Sequence, residues 1–95
     1  MPFIQQTPRV FTQQNIEALN VNQIGVYGLF KQNEWVYIGK GDIRQRLLDH
    51  LNGDNLRITR QGPTHWVAEV TNGDPSTREQ QLILECQPTC NRRVG

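Results

Sequence analysis

The chain lacks the features that mark a membrane protein or a protein stabilised by disulfides. Its 95 residues contain no apolar run long enough to cross a bilayer. The first ten residues show no charged start followed by an apolar block, so we predict no signal peptide. The two cysteines, Cys86 and Cys90, are too few for a disulfide framework, and one Cys-x3-Cys pair is a poor zinc signature. We therefore expect a cytoplasmic protein with free thiols.

The chain also lacks a surplus of positive charge. Ten lysines and arginines stand against nine aspartates and glutamates, which gives a formal net charge of +1. Proteins that hold nucleic acid tightly by themselves are usually more basic. The positive side chains are nevertheless unevenly distributed, because five follow one central stretch and two close the chain. These seven are Lys40, Arg44, Arg46, Arg57, Arg60, Arg92 and Arg93.

Two triplets, Gly25–Tyr27 and Tyr37–Gly39, are near mirror images of each other. An antiparallel hairpin explains this symmetry, because residues equidistant from the turn face each other across the two strands. A three-residue turn at positions 31–33 would pair Tyr27 with Tyr37, and the asparagine at its last position suits a left-handed conformation. The sequence therefore predicts the two tyrosines directly opposite each other.

This register assigns the hairpin side chains to two faces of the sheet. One face would carry Gly25, Tyr27, Leu29, Trp35, Tyr37 and Gly39. The other would carry Ile24, Val26, Val36 and Ile38, which we interpret as core. Two adjacent tyrosines, with glycines beside them that leave space, are typical of the floor of a ligand site.

A helix is predicted directly after the hairpin. Asp42 is a suitable N-cap, the apolar stripe runs over residues 43–51, and Gly53 is a natural stop. Arg46 and His50 are four residues apart, so they lie on one edge of this helix beside the stripe. From that position we expect both side chains to reach over the edge of the sheet.

The remaining elements complete an α+β fold with a three-stranded antiparallel sheet flanked by helices. Thr12 can cap a short helix through Leu19, and residues 52–63 read as a loop. Alternating side chains predict a third strand over residues 65–70. A last helix is predicted from the Asp-Pro pair before residue 76 to about Cys86.

Glu79 falls on the apolar stripe of this last helix. Leu82, Ile83 and Cys86 lie three, four and seven residues beyond it. A carboxylate that faces inward is costly unless it is paired or binds a metal ion. The residues alone leave two interpretations open, which are a structural salt bridge to an arginine and a ligand for a divalent cation.

Together these elements resemble the GIY-YIG nuclease family. The two triplets, the helix with Arg46, then Glu79 and Asn91 follow the order and usual spacing of that family. The resemblance covers roughly residues 23–91, which we interpret as the catalytic core, and residues 1–22 as an N-terminal extension with a short helix. We expect the whole chain to form a single domain.

The resemblance implies a metal-dependent endonuclease that hydrolyses DNA phosphodiester bonds with Mg²⁺ or Mn²⁺. It implies that Glu79 binds the metal ion and that Tyr27 acts as general base or orients the attacking water. Arg46 carries a planar fork that matches a phosphate edge. The implied catalytic residues are Tyr27, Tyr37, Arg46, His50 and Glu79. Lys40, Arg44 and Asn91 are the implied substrate contacts.

Each assignment has a structural alternative. Tyr27 could pack in the sheet with an exposed hydroxyl, Arg46 and Lys40 could be solvated, and Asn91 could be structural. Two other functions also stay open at this point. One is a non-catalytic module that binds nucleic acid or protein. The other is a nuclease subunit whose protein partner supplies affinity for DNA, which the near-neutral charge and the lack of an appended reading domain favour.

Overall fold

The computed structural model describes residues 2–91 and shows an α+β fold around a four-stranded antiparallel sheet. The strands are β1 (Arg9–Val10), β2 (Ile24–Lys31), β3 (Glu34–Asp42) and β4 (His65–Val70). Their spatial order is β1-β4-β2-β3, so β2 and β4 are central and β3 forms an outer edge. The prediction of three strands is wrong by one, because Arg9 and Val10 pair with β4. Arg92 and Arg93 lie outside the described residues.

Four α-helices and one 3-10 turn accompany the sheet. They are α1 (Gln13–Glu17), α2 (Ile43–Leu51), α3 (Leu56–Gln61), α4 (Ser76–Cys86) and the turn Thr89–Asn91. None of these described helices has the length and apolar character that crossing a membrane requires.

The predicted caps of α1 and α2 are present, whereas α4 begins at Ser76 and has Pro75 at its N-cap position without a side-chain cap bond. The side chain of Thr12 accepts from the backbone N–H of Asn15, and Asp42 accepts from that of Gln45. Helix α1 ends at Glu17 rather than Leu19. Helix α4 ends at Cys86 as expected.

Helix α3 lies within the stretch predicted to be a loop, so that prediction is wrong. The Asn55 side chain caps its start by accepting from the backbone N–H of Arg57. Gly62, with a φ of 63°, ends it in the left-handed conformation. Ile58 is the buried residue of α3 and ties it to the core.

Helices cover both faces of the sheet, so the core has two parts. The first face packs against α1, α2 and α3, and its buried residues include Ile16, Tyr27, Leu29, Val36, Leu47, Ile58 and Trp66. The second face packs against α4, and its buried residues are Phe3, Val26, Ile38, Val67 and Leu82. Burial on both sides explains why β2 carries a nearly continuous buried run instead of an alternating pattern.

The register of the β2–β3 hairpin differs from the predicted one. Lys31 pairs with Glu34, so the turn contains two residues rather than three. Its left-handed residue is Gln32, with a φ of 51°, and not Asn33. Tyr27 consequently lies opposite Gly39 and not opposite Tyr37, which makes the predicted pairing wrong.

A β-bulge nevertheless brings the two tyrosines to the same face. The ladder shifts between Leu29 and Phe30, which leaves Val36 as the extra residue of β3. Val36 joins the first core, whereas Trp35 packs on the second face with Phe3, at 5.3 Å between ring centroids. The predicted faces of Val36 and Trp35 are therefore wrong.

Candidate active site

Tyr27 and Tyr37 lie side by side above Gly39. Tyr27 is fully buried in β2, Tyr37 is half-buried in β3, and their ring centroids are 6.3 Å apart. A β-carbon at Gly39 would lie 2.6 Å from Cζ of Tyr27 and 2.8 Å from Cε2 of Tyr37. The tyrosine rings occupy the space beside this glycine. That space is therefore not available to a ligand, contrary to the prediction from the sequence.

His50 joins Tyr27 through a buried hydrogen bond. The Tyr27 hydroxyl and Nε2 of His50 are 2.7 Å apart, and Nδ1 of His50 is 2.8 Å from Oδ1 of Asp54. A carboxylate oxygen accepts hydrogen bonds, so its position beside Nδ1 favours the imidazole tautomer that carries the proton on Nδ1. The His50 ring also meets the ring of Tyr37 edge-on, with centroids 5.2 Å apart. Tyr27, His50 and Asp54 thus form one hydrogen-bonded chain.

A helix C-cap places Asp54 beside His50. Gly53 adopts a φ of 84°, and its N–H donates to the carbonyl of His50 while the N–H of Asp54 donates to that of Asp49. These two bonds are the Schellman motif, in which a left-handed residue folds the chain back over the last helical turn. Asp54 was not among the predicted site residues. Its position four residues after His50, directly after the glycine that ends α2, was the available signal.

Arg46 lies at the exposed margin of this chain. Its Nη1 is 3.3 Å from Oδ2 of Asp49 and 3.8 Å from Oδ2 of Asp54, and 38% of the side chain is exposed. The guanidinium is close enough to Tyr27 for its charge to lower the pKa of that phenol. Two carboxylates therefore orient the guanidinium while leaving it open to solvent.

Burial keeps the phenol and the imidazole neutral. It raises the pKa of Tyr27 above its ordinary value, the neighbouring Tyr37 adds to the increase, and Arg46 opposes it. Burial also lowers the pKa of His50, and the negative charge of Asp54 partly offsets this decrease. At neutral pH the pair is thus a neutral donor and a neutral acceptor.

Glu79 approaches the sheet from the other side. Helix α4 packs on the second face of the sheet, opposite the face that carries the tyrosines. Its Oε1 is 3.9 Å from Nζ of Lys40, which also donates to the hydroxyl of Ser76. Burial raises the pKa of Tyr37, and the negative charge of Glu79 adds to that increase. Glu79 therefore lies near Tyr37 across edge strand β3, and its salt-bridge partner is a lysine rather than an arginine.

The surroundings of Glu79 suit a single-carboxylate cation site. Burial raises the pKa of Glu79, and Lys40 only partly offsets this. Within residues 2–91, no group of three or more His, Cys, Asp or Glu side chains is arranged to hold a metal ion. Mg²⁺ often binds through one or two carboxylates, and water and substrate phosphate supply the other ligands. A partly desolvated carboxylate with a loose ion pair fits such a site.

Asn91 supports the edge of the sheet. Its Oδ1 accepts from the backbone N–H of Ile38, and its Nδ2 donates to the carbonyl of Ile38, both at 2.8 Å. Both ends of the amide are thereby engaged with one residue of β3. This geometry supports the structural alternative for Asn91.

Arg44 lies in different surroundings from the other predicted residues. It lines a small cavity of about 140 Å³ with Val21, Asn22, Asp42 and Gln45, none of which is a predicted site residue. Its Nε atom is buried and has no hydrogen-bond partner within the described residues. Arg44 therefore makes no hydrogen bond through Nε to the tyrosines in the part of the chain that the structure describes.

A cavity described for residues 2–91 lies away from the predicted catalytic residues. It has a volume of about 490 Å³, lies beside β1 and β4, and is lined by Arg9, Ile43 and Trp66 among others. No predicted catalytic residue lines it. Within the predicted site, the guanidinium of Arg46 is open to solvent, whereas Tyr27 and His50 are buried.

The structure gathers most of the predicted catalytic residues at one place. Four of them form a cluster with the additional residue Asp54; they are Tyr27, Tyr37, Arg46 and His50. Glu79 and Lys40 form an adjoining ion pair. Comparisons of the chain with protein families, curated proteins and solved structures find no match.

Proposed function

We propose that this protein is a metal-dependent endonuclease of the GIY-YIG type that hydrolyses DNA phosphodiester bonds. The observation that carries the proposal is the buried hydrogen bond between Tyr27 and His50 beside the exposed guanidinium of Arg46. The pair can move a proton, and the guanidinium can bind a phosphate from solvent. A patch with both abilities suits hydrolysis of a phosphodiester on a polymer.

The phosphate contact is assigned to Arg46. Its fork matches two non-bridging oxygens, and Asp49 and Asp54 hold the fork in place before substrate arrives. Tyr27 is fully buried and Tyr37 borders the same surface, so a side-chain rearrangement there has to admit the water that the Tyr27 hydroxyl oxygen orients.

The divalent ion is assigned to Glu79. Bound Mg²⁺ or Mn²⁺ would supply positive charge for the phosphate and for the leaving oxygen. The contact between Lys40 and Glu79 is long, and the lysine side chain is 43% exposed, so a cation can compete for the carboxylate. Lys40 would then be free to meet a phosphate.

The near-neutral charge favours a nuclease that obtains DNA affinity from a protein partner. A module that only binds has no need of a buried phenol–imidazole–carboxylate chain, because buried polar groups add desolvation costs. A cytoplasmic location is part of the proposal, since Cys86 and Cys90 are both free thiols.

A plasmid-nicking assay with and without Mg²⁺ or Mn²⁺ tests the proposal. Wild-type protein should nick the plasmid only with metal, and Glu79→Gln should abolish nicking while leaving the fold intact. Glu85→Gln changes an exposed carboxylate on the same helix and should keep full activity. Equal activity of wild type and Glu79→Gln at saturating metal would refute the metal site. The absence of nicking by wild type under all conditions would refute the function.

A further inference from the structure

Asp54 contacts two members of the site at once. Its Oδ1 is 2.8 Å from Nδ1 of His50, and its Oδ2 is 3.8 Å from Nη1 of Arg46. The side chain of His50 is only 2% exposed, so this hydrogen bond belongs to a nearly buried imidazole. Asp54 itself is 34% exposed and is the outermost residue of the hydrogen-bonded series that begins at Tyr27.

Ordinary helix capping does not explain a carboxylate at this position. Asp54 follows the C-terminus of α2, where the helix dipole disfavours negative charge. The Schellman motif needs only the backbone of Asp54, so the side chain is not required for the turn. The contacts with His50 and Arg46 explain instead why a carboxylate is present at this position.

We propose that Asp54 is a positioning residue that holds His50 in the tautomer protonated at Nδ1. Nε2 is then the acceptor for the proton of Tyr27, and His50 rather than Tyr27 is the final proton acceptor of the site. This assignment rests on the proposed nuclease function. It assigns a separate role to each residue. Tyr27 contacts the attacking water, His50 accepts the proton and Asp54 stabilises the imidazolium.

The step balances without an additional reactant. The O–H bond of Tyr27 breaks as its proton passes to Nε2 of His50, and the phenolate takes a proton from the attacking water. The water oxygen bonds to phosphorus as the bond to the leaving oxygen breaks. The leaving oxygen takes a proton from solvent, and the imidazolium releases one to solvent. Tyr27 and His50 end as they began.

Asp54→Asn tests the proposal with two separate measurements. The first is the ¹⁵N NMR spectrum of the imidazole nitrogens, which distinguishes the two tautomers. The chain has two histidines, and His65→Gln identifies the signals of His50. Wild type should show Nδ1 protonated and Nε2 unprotonated. Asp54→Asn should shift the population toward Nε2–H.

The second measurement is the rate of metal-dependent DNA cleavage. Asp54→Asn should lower kcat by roughly 10²- to 10⁴-fold with little change in KM, as expected for a lost proton transfer and a wrong tautomer. Asp42→Asn is the matched control, because Asp42 caps the start of the same helix, makes no bond to His50 or Arg46, and asparagine caps a helix as well as aspartate does. It should keep the His50 tautomer and most of the rate.

The two measurements separate this inference from the proposed function. An unchanged His50 tautomer in Asp54→Asn would overturn the inference whether or not the wild type cleaves DNA. A shifted tautomer with an unchanged rate would also overturn it. A shifted tautomer in a protein whose wild type never cleaves DNA would refute the nuclease function and leave Asp54 as the residue that sets the tautomer.

Discussion

Gly39 lies against the phenol ring of Tyr27 across the β2–β3 ladder. A β-carbon at Gly39 would come within 2.6 Å of Cζ of Tyr27, a distance that non-bonded carbons do not adopt. The Tyr27 ring can therefore occupy this position only because residue 39 has no side chain. Any larger residue has to move the hydroxyl that bonds to His50.

Gly39→Ala should destabilise the protein by about 1–3 kcal/mol through overpacking and should also abolish nicking. The displaced phenol loses its hydrogen bond to His50, which is the reason for the second effect. Gly28→Ala is the matched control, because its β-carbon would meet Trp35 and Phe3 on the second face instead. Denaturant unfolding and nicking at equal folded fraction compare the two variants. Equal nicking by both would show that the Tyr27 position is not needed for activity.

Arg46→Lys should lose activity almost as completely as Arg46→Ala. A lysine supplies a point charge, whereas a phosphate edge requires a planar fork held by Asp49 and Asp54. The measurement is the single-turnover cleavage rate at saturating metal. A lysine variant with most of the wild-type rate would show that Arg46 acts only through its charge.

The free energy of unfolding should fall as the pH rises above 10. The pKa of Tyr27 is raised in the folded state above its ordinary value of 10.0, so folded Tyr27 keeps its proton where the unfolded chain loses it. Above pH 10 the unfolded state therefore binds fewer protons, and stability decreases. In Tyr37→Phe the remaining tyrosine is Tyr27, so the absorbance of its phenolate can be followed alone. A midpoint at the ordinary value in the folded protein would contradict the burial argument.

Asn91→Ala should lower the free energy of unfolding by about 1–3 kcal/mol, because it removes two hydrogen bonds to the backbone of Ile38. Cleavage per folded molecule should stay within a few-fold of wild type. Chemical denaturation and nicking measure the two effects. Loss of cleavage with unchanged stability would instead assign Asn91 a direct contact with substrate.

The isolated chain should bind duplex DNA weakly and with little sequence preference. If three to five basic side chains touch phosphates, affinity should fall roughly thirty- to five-hundredfold between about 50 and 200 mM salt. Candidates within residues 2–91 are Lys40, Arg44, Arg46, Arg57 and Arg60. A salt titration of Glu79→Gln on several unrelated duplexes measures the slope. Nanomolar binding to one sequence at physiological salt would reveal a reading surface and contradict the prediction.

The elements with strong periodicity could be predicted from the sequence. Helix α2 and its Asp42 cap, strand β4 and the end of α4 at Cys86 follow from apolar spacing and cap chemistry. Strand β1 could not be predicted, because two residues contain no period and their pairing depends on β4. Helix α3 has six residues and one buried side chain, so it shows no apolar periodicity. Its capping residues Asn55 and Gly62 were the available sequence signals for a helix.

The candidate site was predictable where its residues share an element. The spacing of Arg46 and His50 on α2 is local information, and so is the alternation within each strand. The face from which Glu79 approaches depends on which side of the sheet α4 packs, and the apolar stripe of a helix does not determine that. The contact of Asp54 depends on a backbone reversal at Gly53. The packing side of α4 and the backbone reversal at Gly53 are both features of tertiary structure that local sequence patterns do not determine.

The bulge at Val36 limits which insertions and deletions the hairpin can accept. With a two-residue turn, a regular ladder would place residues ten positions apart on opposite faces, and Tyr27 and Tyr37 are ten positions apart. Deletion of Val36 would restore a regular ladder and leave every other strand pair in place. Deletion of Asn33 would shift the pairing by one residue and move Tyr37 away from His50. A deletion at the bulge therefore keeps the register but removes a buried core valine, whereas a deletion at the turn changes the register itself.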